Sequence, residues 1–442
     1  MRRLFPQFAL ILLLIISLLT SSLAQSPAPP KRKKIKDFGS SLKPSKPDPK
    51  KNAATEQPAP EGVAISEGDV IRVDTSLVNS DLLVLDPKGN AITGLTAADF
   101  LIRENGVPQT VAHFFNGDNV NVPRTIVLII DYACGSAHSM GDNFKAAKVL
   151  VDKLGPKDLM AIVTDDVEMV QDFTSDKKKL KQKLTQVYDR TRQDPVFRGR
   201  PYEEPRYGRN KQYSALMATL REAFTVEDIR PIIIFQTNGA EAYVLRDSTF
   251  NVKVPEGLPA ELLGMAERGV DAIRQARLND SVGFSLDDVY RTVEKSRVTI
   301  YTVIPNTQYM GLTPDIQMAN MIAQRQAQLS KSSVPGPLFA HERDLQLNRV
   351  HMKWDIEETV KLQSALAEVA SVAGGWTAFL EKPEQANEIY SRIFTDINQR
   401  YILGYYPTDK KRDGKRRMID IKVKGHPEYQ ILGRSSYFAP KP

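Results

Sequence analysis

Five short apolar runs, separated by longer amphipathic stretches, set the texture of residues 120–398. They are Thr125–Ile130, Leu159–Thr164, Ile232–Phe235, Val298–Val303 and the shorter Thr377–Leu380. Runs this brief, apolar throughout and rich in β-branched residues, predict strands buried on both faces of a sheet. Between them Asp142–Leu154, Asp176–Val187, Tyr213–Phe224, Leu286–Lys295, Ile356–Val372 and Gln385–Arg400 repeat apolar residues at three- and four-residue spacing, which predicts helices. Strand–helix alternation implies an α/β fold with a mostly parallel sheet and helices on both faces. Asp131 follows the first run directly, so it falls at the carboxyl end of the sheet, where open α/β folds bind ligands.

The flanks have a shorter period. In residues 64–118, Ile71–Asp74, Leu82–Leu85, Phe100–Glu104 and Gln109–Ala112 read as strands, with turns at Asp86–Asn90 and at Asn105-Gly106, a strong hairpin signal. Residues 399–440 return to strand texture at Tyr401–Tyr406, Arg417–Val423 and Tyr429–Tyr437. Neither flank holds enough strands to be stable by itself. The expectation is a small β-sandwich-like domain shared by 64–118 and 399–440, with the α/β domain of 120–398 inserted between them. Residues 240–282 and 306–352 exceed ordinary connections and read as surface insertions, helical in part around Ile316–Leu329.

The start of the chain bears on compartment. Arg2 and Arg3 precede the apolar stretch Phe8–Thr20, then Ser22-Leu23-Ala24, a small-residue cleavage pattern before Gln25. Residues 1–24 therefore read as a signal peptide and the protein as exported, periplasmic or secreted, with a retained anchor as the alternative. Residues 25–63 are rich in Pro, Lys and Ser and read as a disordered basic linker. Residues 31–51 hold nine Lys or Arg against two Asp, so the net charge of +7 belongs to this linker and its signal rather than to the folded part. That distribution argues against nucleic acid as a partner and leaves electrostatic contact of the tail with an anionic envelope. One cysteine, Cys134, excludes an internal disulfide. The five histidines show no ligand spacing for zinc, and no nucleophile elbow or phosphate loop is present.

Several stretches resemble the von Willebrand factor A-related proteins abundant in Acidobacteria. They are Gly94-Leu95-Thr96-Ala97-Ala98-Asp99-Phe100 with Glu104-Asn105-Gly106, the Ile126–Asp131 run, Asp172-Phe173-Thr174-Ser175-Asp176, Gly374-Gly375, and Arg400-Tyr401-Ile402-Leu403-Gly404-Tyr405-Tyr406-Pro407. The resemblance spans roughly residues 66–440 and implies a Rossmann-like A domain, export and a binding role without catalysis. In metal-binding relatives an Asp and two Ser after the first strand, a Thr from a middle loop and a later Asp hold a cation above the sheet. Mg²⁺ demands six hard oxygens there. In this chain the first Asp is Asp131, Ala133 and Gly135 stand at the serine positions, the Thr position falls near Asn210, and the later Asp is Asn238, with Lys211 close in sequence. If residues 132–135 are an insertion, Ser136 and Ser139 would take the serine places and Asp131, Ser136 and Ser139 would be the ligands. The expectation is a degenerate site, without a cofactor, in which low-affinity Mg²⁺ is the minor alternative.

The function expected from these residues is exported, non-catalytic protein–protein interaction of an adhesion-like or scaffold kind, through Asp131, Ser136, Ser139, Asn210, Lys211 and Asn238. The Arg-rich loop 189–212 would widen that surface toward an acidic or aromatic partner. A rival from another class is an exported hydrolase using the same crevice through Cys134 beside His138, which ordinary thiol reactivity would dispose of. A third is an envelope-structural protein in which the tail matters most. Asp165-Asp166 reads as a cap on a loop or a helix, with a role at the site rim as the alternative, and Tyr405-Tyr406 as packing and strand pairing at the junction with the last helix.

Overall fold

The computed structural model describes residues 35–42, 77–116, 123–131, 137–193, 211–225, 228, 230–246, 253–278, 283–331 and 348–439. The expected signal peptide, Ile71–Asp74 and most of the Arg-rich loop lie outside these residues. In chain order the elements open with β1 (Val78–Leu85), β2 (Phe100–Glu104), β3 (Val107–Gln109) and β4 (Val111–Phe115). Next come β5 (Arg124–Ile130), α1 (Ala137–Lys153), β6 (Leu159–Thr164), β7 (Glu168–Thr174), α2 (Lys177–Gln193), α3 (Gln212–Glu222) and β8 (Arg230–Gln236). They continue with α4 (Ala260–Leu278), α5 (Leu286–Lys295), β9 (Thr299–Ile304), α6 (Pro314–Lys331), α7 (Arg349–Val372), β10 (Thr377–Phe379) and α8 (Ala386–Gln399). The last four are β11 (Tyr401–Tyr405), β12 (Arg416–Val423), β13 (Gln430–Gly433) and β14 (Ser436–Phe438).

A six-stranded sheet runs β10-β9-β8-β5-β6-β7, and every neighbouring pair is parallel except β6 with β7. This is the doubly wound order, which reverses between β5 and β8 and opens a crevice at their carboxyl ends. All residues of β5 and β8 are buried because both faces are covered. Val127 and Ile129 of β5 face a core shared with Tyr213 and Leu216 of α3, Val289 and Val293 of α5, and Leu366 and Val369 of α7. Ile126, Leu128 and Ile130 alternate to the other face, against Phe144 and Leu150 of α1, Leu180 and Leu184 of α2, and Tyr390 and Ile393 of α8. The edge strand β7 was not anticipated from the sequence. Glu168, Gln171 and Asp172 break its apolar run, which an antiparallel edge strand tolerates because one side meets water.

The flanking strands form two further sheets, β13-β1-β11-β4 and β14-β12-β2-β3. Leu82 and Val84 of β1, Phe100 and Ile102 of β2, Tyr401, Leu403 and Tyr405 of β11, and Ile419 and Val423 of β12 meet in one buried cluster. Between β2 and β3, Asn105 and Gly106 take φ of 46° and 84°, the left-handed pair that a two-residue hairpin turn of this twist requires. Tyr405 is buried and its hydroxyl donates to Glu104 Oε2 at 2.9 Å. Tyr406 lies past the end of β11 and is 45% exposed beside His113, so the packing role expected of it is not fulfilled.

A buried charge cluster ties the flanking strands to the α/β part. Arg400, 1% exposed between α8 and β11, donates Nε to Asp396 Oδ1 at 2.9 Å and Nη2 to the Gly374 carbonyl at 2.5 Å. Its Nη1 lies 3.8 Å from Asp81 of β1. Trp376 Nε1 donates to the other Asp396 oxygen at 2.8 Å, so that carboxylate is held from both sides.

Of the two insertions, 240–282 supplies a short 3-10 turn, Ala240–Tyr243, and α4, while 306–352 supplies α6 and the start of α7. Tyr309, Met321, Met352 and Ile356 give the latter a small core of its own. The linker expectation fails over Ile35–Leu42, which pack onto the α/β core through Ile35, Phe38 and Leu42. The spacing of three apolar residues in a lysine-rich stretch is too sparse to signal a core, but enough to fill a surface groove. No helix among the described residues is long and apolar enough to cross a membrane.

Candidate functional site

The site is assembled from the ends of β5 and β8 and the start of α3. Asp131 extends β5, its backbone amide donating to the Gln236 carbonyl at 3.0 Å, and it is 2% exposed. A buried carboxylate needs hydrogen-bond donors or a cation to offset its lost hydration. Two neutral donors converge on Asp131 Oδ2: Thr237 Oγ1 at 3.0 Å and Gln212 Nε2 at 3.1 Å.

Each donor is itself fixed. Thr237 Oγ1 accepts from the Gly239 amide at 3.0 Å, and Gly239 then takes a left-handed φ of 73° that leads into the Ala240–Tyr243 turn. Gln212 is the first residue of α3, so its side chain points back over the sheet end. Its Oε1 accepts from the Glu241 amide at 2.9 Å, and its Nε2 also approaches Asn238 Oδ1 at 3.5 Å. The Glu241 carboxylate, 3% exposed, accepts from the Ser214 amide at 2.9 Å and the Ser214 hydroxyl at 2.5 Å. It thereby occupies the amino terminus of α3, where unpaired amides and the helix dipole favour an anion.

Lys211 caps α3, half-buried, and its amide donates to the Asp165 carbonyl at 2.8 Å, which ties the β6–β7 turn to the crevice. Asp166 in the same turn accepts from the Thr164 hydroxyl and pairs with Arg190 at 3.9 Å. Asn238 is half-buried and its Oδ1 accepts from the Ala240 amide at 3.0 Å. Asp131 and Asn238 thus meet at the Gln212 side chain, and Lys211 precedes it in the chain. Ala133, Cys134, Gly135, Ser136 and Asn210 lie outside the described residues, as do the side chains of His138 and Ser139 in the first turn of α1.

A hydroxyl and an amide present their hydrogens to one Asp131 oxygen, Oδ2. Among the described residues no group of three His, Cys, Asp or Glu side chains could hold a metal. Gln212, Thr237 and Glu241 were not singled out from the sequence. The signal was available for the first two: each adjoins a residue already placed at the crevice. Glu241 lies in a segment read as insertion, and nothing local marks it.

Strand order defines a mixed α/β fold with a mostly parallel sheet. Likenesses among solved structures follow that class. BatB from Bacteroides thetaiotaomicron shares 12% identity over 62% of this chain and 98% of its own, with a TM-score of 0.30. The manganese-loaded TRAP protein of Plasmodium vivax shares 10% over 78% and 100%, at 0.27. A von Willebrand factor type A protein from Catenulispora acidiphila shares 10% over 84% and 75%, at 0.29. No family model matches the chain, and no curated protein does. The fold class rests on strand order and not on these likenesses.

Proposed function

We propose that the chain is an exported, non-catalytic protein-binding molecule. A von Willebrand factor A-like domain is inserted in a β-sandwich and offers the carboxyl end of its sheet to a protein partner. The observation that carries this reading is Asp131: its charge is met by Thr237 and Gln212 from within the chain. The partner then meets a pre-built polar surface around Lys211 and Asn238, to which the loop of Asp131–Ser139 and Asn210 would contribute, and recognition works by shape and hydrogen bonding without a bridging cation.

Affinity capture from envelope extracts tests it, run with and without a chelator. The expected result is a partner retained equally in both, and lost when Lys211→Glu and Asn238→Arg are combined. Capture that disappears with chelator would overturn the proposal.

A further inference from the structure

The packed segment Ile35–Leu42 behaves as a bound peptide. Its half-buried Ile35, Phe38 and Leu42 pack against the α/β core, as do Val167, Met169 and Phe173 of the β6–β7 hairpin and Leu220 and Phe224 at the end of α3. Glu222 grips it by the backbone: Oε2 accepts from the Gly39 amide and Oε1 from the Ser41 amide, both at 2.8 Å. Arg221 Nη1 donates to the Ser41 carbonyl at 3.1 Å, and the Ile35 amide to Asp172 Oδ2 at 3.4 Å. Recognition is specific at one position. Gly39 has φ of 87°, and a Cβ there would lie 2.9 Å from Val167 Cγ1. Val167 itself holds a φ of 64°, costly for a β-branched residue, and so supplies a strained wall to the groove.

We propose that this groove is a peptide-binding site for a linear segment of the pattern Ile-x-x-Phe-Gly-x-Ser-Leu, and that a second copy of this chain supplies that segment in trans. Every contact above is made by residues 35–42 with the α/β surface, so a neighbouring copy's segment would remake each of them unchanged. The chain from residue 43 to residue 77 separates the segment from β1, and a stretch of that length reaches up to about 115 Å when extended. Covalent geometry therefore does not confine the segment to its own groove. In dilute solution the attached segment prevails, because tethering gives it an effective concentration of about millimolar. Copies crowded to comparable concentration exchange segments and link. This inference does not depend on the crevice at Asp131.

Two full-length variants test it by complementation. Phe38→Asp disables the segment and leaves the groove open; Glu222→Lys disables the groove and frees an intact segment. Each is expected to sediment as a monomer with an unchanged circular dichroism spectrum. Mixed at about 100 µM each, well below the tethered concentration, they should form a one-to-one complex. That complex should vanish when the Glu222→Lys chain also carries Phe38→Asp. A fluorescein-labelled peptide of residues 33–44 should bind the Phe38→Asp chain at least tenfold tighter than the wild type. No complex and no peptide binding by folded variants overturns the proposal. Should a variant fail to fold, sedimentation of the wild type at about 1 mM decides: dimers support exchange, and monomers throughout overturn it.

Discussion

Replacing Arg400 by methionine should be among the most damaging single changes in this chain. The guanidinium is 1% exposed and holds Asp396, itself 5% exposed, through Nε at 2.9 Å and Nη2 at 3.3 Å, while Nη2 also satisfies the Gly374 carbonyl. Methionine fills most of the volume but leaves a buried carboxylate with Trp376 as its remaining described donor. Breaking a buried pair from one side costs about 3–5 kcal/mol, far more than the pair's net worth, because the abandoned charge stays dehydrated. For a chain of this size that is a fall in melting temperature on the order of 3–6 °C. Thermal unfolding followed by circular dichroism measures it. The decisive comparison is the double variant Arg400→Met with Asp396→Asn, whose amide oxygen still accepts from Trp376 and carries no charge. It should recover at least half of the loss. A single variant melting within 1 °C of wild type, or a double variant no better than the single, would refute the reasoning.

Two further outcomes follow from the site and from a helix cap. Gln212→Ala removes one donor from buried Asp131 and should cost about 1–3 kcal/mol; 10 mM Mg²⁺ should leave the wild-type melting temperature unmoved, and a rise of several degrees abolished by Asp131→Ala would contradict the neutral-donor account. Asp288 closes a capping box on α5: its Oδ2 accepts from the Ser285 amide at 2.9 Å and its own amide donates to Ser285 Oγ at 3.2 Å. The Ser285 amide, then the hydroxyl and Arg246, hold its carboxyl below the usual value of 3.8 against partial burial. A depressed acid stabilises the fold above its unfolded pKa and loses that contribution as pH falls through the folded one. Asp288→Asn should therefore cost about 1 kcal/mol at pH 7 and progressively less below pH 4, read by urea denaturation across pH; a difference independent of pH would exclude the charge as its source.

The α/β part was legible because its strands are buried on both sides, so Ile126–Ile130 and Ile232–Phe235 carry no polar interruption, and because Leu286–Lys295 repeats its apolar residues at helical spacing. Strand β7 escaped notice since an edge strand facing water has no reason to be apolar. Helix α7 begins at Arg349, seven residues before the reading from apolar spacing, because its first turns pack against α6 and not against the sheet. At the site, Asp131 was picked out from its place at the end of a strand, and Lys211 and Asn238 from the resemblance. Gln212 and Glu241 were not, since what they do depends on where α3 starts over the sheet, a tertiary fact. The lysine-rich stretch misled most: charge and proline suggested a chain free of contacts, yet three apolar residues and one glycine in it suffice to dock Ile35–Leu42.

Strand β1 pairs with β11 and β13, and β2 pairs with β12, so the first strands complete their hydrogen bonding with partners some three hundred residues downstream. A ribosome or translocon delivers the chain from its amino end, and β1 and β2 must then wait, edges open, while the whole intervening region emerges and condenses. Their assembly is of high contact order and should be the slow, final step of maturation. A chain stalled or clipped before Tyr401 would keep a well-formed centre and two sticky strands, the form most prone to aggregate.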